Sequence, residues 1–221
     1  MSHTHMPQHI IITGANTGIG LATAKSLAAQ GHHLILACRD FNKAATAAEQ
    51  VKQSGAASVH VVKLDLADLD SIKQTVADIN AIFPAVDVLI NNAGLFNHHY
   101  QQTVQGYESH FGVNVLGTIL LTELLLPSLK AAPQARIVNL ASVAHLAGKI
   151  DPASYKKPAK YRPIAAYGQS KLGNLLYSNA LATRLQGSSV TSNALHRYPR
   201  RLGNLFVATP FGRRAKANSN F

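Results

Sequence analysis

The sequence predicts an α/β fold, a doubly wound parallel sheet in a single domain, and three observations carry the prediction. Short β-branched or aliphatic runs alternate with longer helical patterns, as βα units around a parallel sheet require. The first run leads directly into a glycine-rich turn that opens a helix, "HIIITGANTGIG". The chain has 221 residues, 47% hydrophobic and 14% charged, which excludes disorder of the whole chain and stays below the roughly 250 to 300 residues at which single cores divide.

The strands are expected at "HIIIT" (9–13), "HLILAC" (33–38), "VHVVKL" (59–64), "VDVLIN" (86–91), "ARIVNLA" (135–141) and "VTSNALH" (190–196). Helical patterns fill 18–30, 41–54, 68–83, 104–130 and 165–186. Asp68 and Asp70 suit the start of the third helix, and Gly31 and Gly55 suit the C-terminal ends of the first two. Right-handed crossovers then place helices on both faces of the sheet. The segment "GKIDPASYKKPAKYRP" (148–163) has no hydrophobic periodicity. It reads as a long loop at a strand's C-terminal edge, and a substrate-facing role stands beside that of a solvated insertion.

The formal net charge is +11, unevenly spread. Through Asp151 nine Lys/Arg face ten Asp/Glu; from Pro152 onward there are twelve Lys/Arg and no acid. A nucleic-acid-binding domain carries its cations on a folded face, often with stacking aromatics, so the excess reads as a solvated or cofactor-facing C-terminal part and no nucleic-acid partner is expected. Cys38, the one cysteine, forbids an internal disulfide and disfavours a cysteine zinc site. The eleven histidines do not suggest a metal. His3, His5 and His9 lie at the N-terminus, while His32/His33 and His98/His99 are adjacent pairs whose side chains diverge in an extended chain. The opening residues lack the pattern of a secretory signal. The run "ILLTELLL" (119–126) is short and broken by Glu123, against the ~20 residues of a membrane span. A cytoplasmic protein with no membrane partner is the expectation.

"TGANTGIG" sits between the first strand and the first helix, where glycines let the backbone approach a diphosphate and the helix N-terminus supplies free N–H groups. Its G-x-x-x-G-x-G spacing differs from the general dinucleotide fingerprint, and no Lys-Ser/Thr follows as in a P-loop. Gly14, Asn16, Thr17, Gly18, Ile19 and Gly20 are therefore candidate cofactor residues. At the end of the second strand an acid would bind the ribose hydroxyls of NAD, and an Arg would favour the 2′-phosphate of NADP. The chain offers Arg39 and then Asp40. Arg39 leaves the strand first and favours NADP; both residues could instead cap the next helix.

"YGQSK" puts Tyr167 and Lys171 four apart on a helix, one above the other on a single face. An ammonium beside a phenol favours phenolate and makes the pair usable for proton transfer near neutral pH. A lone Tyr-x-x-x-Lys is common, but here it follows, in order, "DL" at Asp65 and Leu66, "NNAG" at 91–94, Asn114 in "GVNVLG" and Ser142 in "NLASVAH".

On these residues the chain resembles the short-chain dehydrogenase/reductase family over 9–196, with a Rossmann-like sheet. Within that family it is most similar to the retinol dehydrogenase group, through "ACRD", "LDLADL", "YGQSKLGNLLYSNALATRL" and the 25 residues from Ser142 to Tyr167. The resemblance implies an NADP-preferring oxidoreductase that interconverts an apolar alcohol and an aldehyde or ketone, with NAD as the alternative cofactor. Tyr167 would exchange a proton with the substrate oxygen, and Ser142 would hold that oxygen. Lys171 would bind the nicotinamide ribose and assist Tyr167, and Asn114 would position a water beside Lys171. Asp65 and Leu66 would lie near adenine, and Asn92, Ala93 and Gly94 would line the cofactor. Ser142 could instead cap the loop after its strand, and Asn114 could serve only its helix.

Relatives continue "HPG" after the sixth strand, followed by a substrate lid and a seventh strand. This chain has "HRYPRR" and 25 residues after His196. The expectation is a dinucleotide-binding domain over 1–196 and an atypical basic tail over 197–221, with the last strand and the lid missing and the sixth strand left as an exposed edge. Weakened cofactor binding and low turnover would follow, with a catalytically inactive nucleotide-binding remnant as the alternative to an enzyme. A homodimer through the two long helices is compatible with the family.

Overall fold

In the computed structural model, residues 6–197 and 206–208 are described. His3, His5 and most of the basic tail lie outside them. Six strands run parallel: β1 (His9–Thr13), β2 (His33–Cys38), β3 (Ser58–Lys63), β4 (Val88–Asn91), β5 (Ala135–Leu140) and β6 (Val190–Arg197). A short β7 (Phe206–Ala208) pairs antiparallel with Leu195 to Arg197. The order across the sheet is β3-β2-β1-β4-β5-β6-β7, so the strand order reverses between β1 and β4. The sixth strand, expected to be an open edge, is covered by β7 over its last three residues.

Helices α1 (Gly18–Ala28), α2 (Phe41–Gln53), α3 (Leu69–Ile82), α4 (Ser109–Phe111), α5 (Thr118–Ala131) and α6 (Pro163–Arg184) connect the strands. Asp40 and Asp68 cap α2 and α3, their carboxylates accepting from the backbone N–H groups of Lys43 and Asp70. Gly31 and Gly55 follow α1 and α2 at φ of 76° and 105°. The helix expected at 104–130 begins only at Ser109. Residues before it form a tight turn, in which Thr103 Oγ1 accepts from Tyr107 N–H and Gly106 has a φ of 78°, and the Glu108 carboxylate then caps α4. Between α4 and α5 the backbone widens into a π-turn, Gly112–Gly117.

Alternation along β1 shows why its run is apolar throughout. Ile10 and Ile12 face a core shared with Ala24 and Ala28 of α1 and Ala44, Ala48 and Val51 of α2. Ile11 faces the opposite core, with Ile72 and Ile79 of α3, Leu121, Leu125 and Leu129 of α5, and Leu181 of α6. A parallel strand covered on both faces buries every side chain. The continuous helical run Ser109–Ala131 is 23 residues long, with a mean hydropathy of 1.5 and 67% of the apolar window buried inside the protein. It is longer than the apolar stretch at 119–126, and its burial is that of a core helix.

Leu125 is fully buried between α3 and the sheet. Leu125→Ala should lower the unfolding free energy by about 2 to 5 kcal/mol, read from denaturant midpoints. A loss below ~1 kcal/mol would contradict the packing.

Candidate active site

The C-terminal ends of the parallel strands converge where the order reverses, and a cleft of about 770 Å³ opens there. In open α/β sheets ligands bind at this point, outside the carboxyl ends of the strands. Gly14, Asn16, Thr17, Gly18, Ile19, Gly20, Arg39, Asp65, Leu66, Asn92, Ala93, Gly94, Ser142, Tyr167 and Lys171 all line the cleft. Asn114, the remaining candidate, is fully buried behind it.

One wall is the glycine-rich turn. Gly18 has a φ of 55°, a region that disfavours any side chain. A Cβ on Gly20 would meet the Gly14 carbonyl and the Asn92 amide, so only glycine lets the turn close on β4. Thr17, the N-cap of α1, makes no side-chain capping bond, and no acid stands in the first turn. The first-turn N–H groups of α1, which opens directly behind the glycine-rich turn in the cleft wall, are thus left without a side-chain acceptor and available to an anion.

The "NNAG" residues act first on this turn. Asn92 Nδ2 donates to the carbonyls of Thr13 (2.8 Å) and Gly14 (3.2 Å), and Ala93 N–H donates to Thr13 Oγ1 at 2.9 Å. Asn91 is buried deeper, its Nδ2 donating to Thr122 Oγ1 and Asn139 Oδ1. Asp65 Oδ1 accepts from Ala67 N–H at 2.9 Å, so the carboxylate shapes the end of β3 while lining the cleft.

At the end of β2, Arg39 is exposed, and no carboxylate among the described residues pairs with it. The Asp40 carboxylate accepts from Lys43 N–H at 3.0 Å and pairs with Lys43 Nζ at 3.3 Å. The backbone hydrogen bond from Lys43 is the main cause that holds its pKa below the ordinary value.

On the opposite wall, Lys171 is 5% exposed. Its Nζ donates to the Leu140 carbonyl at 3.0 Å and lies 5.7 Å from the centre of the Tyr167 ring. Burial brings its pKa down to about 8. Ser142 follows β5, and its Oγ accepts from Ala144 N–H at 3.2 Å. The expected cap is thus real, and it leaves the hydroxyl hydrogen for another acceptor. Asn114 sits within the π-turn, a feature frequent at functional sites. Its Oδ1 accepts from Leu95 N–H at 2.8 Å, and its Nδ2 donates to the Leu95 carbonyl and to Ser170 Oγ. It holds the strand end beside Gly94 and Lys171.

Several residues that shape the site were not among the candidates. Thr13 pins Ala93, and Phe96 lies edge-on to the Tyr167 ring at 5.3 Å. Glu108, His110 and Tyr161 form a hydrogen-bonded cluster against the same tyrosine. Their signal was the helix-capping Glu108 two residues before a histidine, which carries no meaning until Tyr161 is brought in. The stretch 148–163 follows a short 3-10 turn, Val143–Ala147, contains a second, Pro152–Ser154, and packs on α6 through Gly148 against Gly168.

A family model described as short chain dehydrogenase matches residues 8–199. Among curated proteins, human retinol dehydrogenase 13 is 49% identical over 189 residues, 85% of this chain and 57% of that protein. Mouse retinol dehydrogenase 12 is 47% identical over 188 residues, 85% of this chain and 60% of that protein. The chain thus spans about three fifths of the length of the curated relatives it matches. Among solved structures, a Mycobacterium paratuberculosis protein superposes with a TM-score of 0.78 at 34% identity, covering 93% of this chain and 85% of that one. Pseudomonas aeruginosa RhlG, solved as an NADP active-site complex, gives 0.72 at 25% identity, with 91% and 77% covered.

Lys171 has a folded pKa of about 8 against an ordinary 10.5, so between those values the unfolded chain binds the extra proton. Stability therefore rises with pH across that window, and the penalty of burying the ammonium is fully present below it. The stability of the parent chain relative to Lys171→Met should increase between pH 8 and pH 10 in calorimetric scans. A pH-independent difference would contradict the burial of this amine.

Proposed function

The chain belongs to the short-chain dehydrogenase family, and from that premise we propose that it is an NADP-preferring oxidoreductase interconverting an alcohol and a carbonyl group. The observation that carries the reading is the juxtaposition, in one cleft, of an uncapped helix N-terminus behind a glycine-rich turn with Ser142, Tyr167 and Lys171.

The residues present fit a nicotinamide dinucleotide. Backbone N–H groups at Thr17 to Gly20 suit the diphosphate, Asp65 and Leu66 the adenine end, and Lys171 a ribose hydroxyl. Among the described residues Arg39 has no acidic partner while Asp40 is engaged as a cap, and that division of labour supports a 2′-phosphate over a bare ribose. When bound, the cofactor supplies or accepts the hydride.

The chain's own residues manage the proton and the substrate oxygen. Tyr167 gives its phenol proton to the carbonyl oxygen in reduction and takes it back in oxidation. The Lys171 ammonium, fixed by the Leu140 carbonyl, stabilises negative charge on the phenol oxygen once the proton has left. Ser142 Oγ already accepts from Ala144 N–H, so its hydrogen is left to donate to the substrate oxygen and to the charge that develops there. Leu95, Phe96 and Val113 give the catalytic end an apolar lining, which suits an apolar alcohol, aldehyde or ketone. The names of the retinol dehydrogenases it resembles support the same class.

Oxidation of NADPH against a panel of apolar aldehydes tests the reading. Turnover should fall by about 10²-fold or more in Tyr167→Phe, the scale of a lost general acid. Turnover that survives the substitution would remove Tyr167 from the chemistry, and NADPH binding without any turnover would reduce the function to nucleotide binding. Arg39→Ala should weaken NADPH about tenfold, the scale of a charge-assisted hydrogen bond, and leave NADH within about twofold. Equal losses for both cofactors would refute the assignment of the 2′-phosphate.

A further inference from the structure

Outside the cofactor cleft, the densest cluster of buried titratable side chains is Glu108, 1% exposed, and His110, fully buried. Asn97 N–H can only donate, and it lies 2.9 Å from His110 Nε2. That nitrogen is therefore the unprotonated one, and in the neutral ring Nδ1 carries the hydrogen, which faces Glu108 Oε1 at 2.9 Å. The same carboxylate accepts the N–H groups of His110 and Phe111 at 2.9 and 3.0 Å. Burial alone would raise its pKa, but the hydrogen bonds from the His110 side chain and these two backbone groups outweigh it and hold the carboxyl below its ordinary value. Tyr161 closes the cluster, its hydroxyl 3.1 Å from His110 Nδ1 and 3.2 Å from the Asn97 carbonyl.

These contacts join two segments that are far apart in sequence. One is the stretch after β4 that carries Phe96 and Asn97. The other is the insertion at 148–163, where the Tyr155 carbonyl accepts from Glu108 N–H at 2.8 Å and the Tyr155 ring stacks on Phe111 at 3.8 Å. At its beginning the insertion is fastened to the catalytic helix itself. Gln169, 3% exposed, accepts from Asp151 N–H at 2.7 Å and donates to Ser154 Oγ at 2.9 Å. Both ends of the insertion are thus held by buried polar groups next to the site, Glu108 and His110 behind Tyr167 and Gln169 on α6.

We propose that Glu108, His110 and Tyr161 are positioning residues, which lock Phe96 and the insertion around Tyr167 and so fix its phenol for proton transfer. The inference rests on the oxidoreductase reading given above. Phe96 meets the Tyr167 ring edge-on at 5.3 Å and 79°, His110 meets it at 5.9 Å and 70°, and the two also meet each other at 5.5 Å. Tyr167 is therefore boxed by two rings whose places the cluster sets. A buried ion-and-imidazole pair is a costly way to stabilise a fold compared with apolar packing. A displacement of even an ångström at a reacting group costs orders of magnitude in rate, which gives the polar cluster a use that packing alone would not.

The test uses the full chain as parent, Tyr161→Phe, which keeps the ring, and Glu108→Gln, which keeps the shape. Three quantities are read: NADPH affinity, kcat and KM for an aldehyde, and amide hydrogen exchange. Tyr161→Phe should speed exchange about fivefold in residues 95–101 and 149–162, the scale of one lost hydrogen bond. It should lower kcat about tenfold and leave NADPH affinity and exchange in the glycine-rich turn unchanged. Glu108→Gln should do the same more strongly. Unchanged exchange in those segments, or kcat unchanged while exchange rises, would overturn the proposal. So would a parallel loss of kcat, NADPH affinity and protection throughout the chain. If the parent reduces no aldehyde, the proposed function fails on its own, and exchange in Tyr161→Phe still decides whether the cluster holds these segments.

Discussion

Three hydrogen bonds between the ends of β1 and β4 hold the site together. Asn92 Nδ2 spans the carbonyls of Thr13 and Gly14, and Thr13 Oγ1 takes the N–H of Ala93. They lie at the reversal of strand order, where β1 and β4 feed α1 and the stretch leading to α4 in opposite directions and a crevice must open. With the Gly14 N–H bond to the Ala37 carbonyl of β2 at 2.8 Å, they fix the start of the glycine-rich turn against the sheet from both sides. With them, its N–H groups face the same space as the ends of β3 and β5. Gly20 leaves no room for a Cβ against this lock, so the residue types of the turn and of "NNAG" are parts of a single constraint.

The α6 side of the cleft depends on a second anchoring, that of a charge inside the protein. Burying the Lys171 amine costs stability, as its lowered pKa records, and only the Leu140 carbonyl among the described hydrogen bonds offsets it. A fold optimised for stability alone would not place a lysine there. Asn114 supports the arrangement by gripping both backbone groups of Leu95 and by bonding Ser170, next to Lys171 in the chain. The π-turn that carries Asn114 is packed at Gly117 against the Leu66 carbonyl, which links the Leu66 side of the cleft to its Lys171 side through one widened turn of helix.

Much of this could be read from the sequence because its signals are local. The strands announce themselves by continuous apolar runs, and Tyr167 with Lys171 by a spacing of one helical turn. What the sequence concealed depends on partners brought together by the fold. Asn92 reads as a cofactor-lining residue, yet its amide is spent on β1, 78 and 79 residues earlier. The helix at 104–130 reads as uninterrupted because Val104 to Tyr107 are compatible with helix; the tight turn at Gly106 and the Glu108 cap move its start. Glu108 and His110 carry no spacing signal at all, since Tyr161 lies 51 residues from His110. The insertion at 148–163 left two readings open, and its ties to Gln169 and Glu108 place it against the site.

The crevice between the β1 turn and α6 is the proposed seat of a dinucleotide. That placement is tested most directly by mapping NADPH onto the isotope-labelled chain through changes in backbone amide NMR signals. The account predicts the largest shifts at Thr17 to Gly20, at Arg39, at Asn92 to Gly94 and around Ser142 and Tyr167, saturating together in one titration. Saturable shifts that spare the glycine-rich turn, or no shifts at millimolar NADPH, would contradict it.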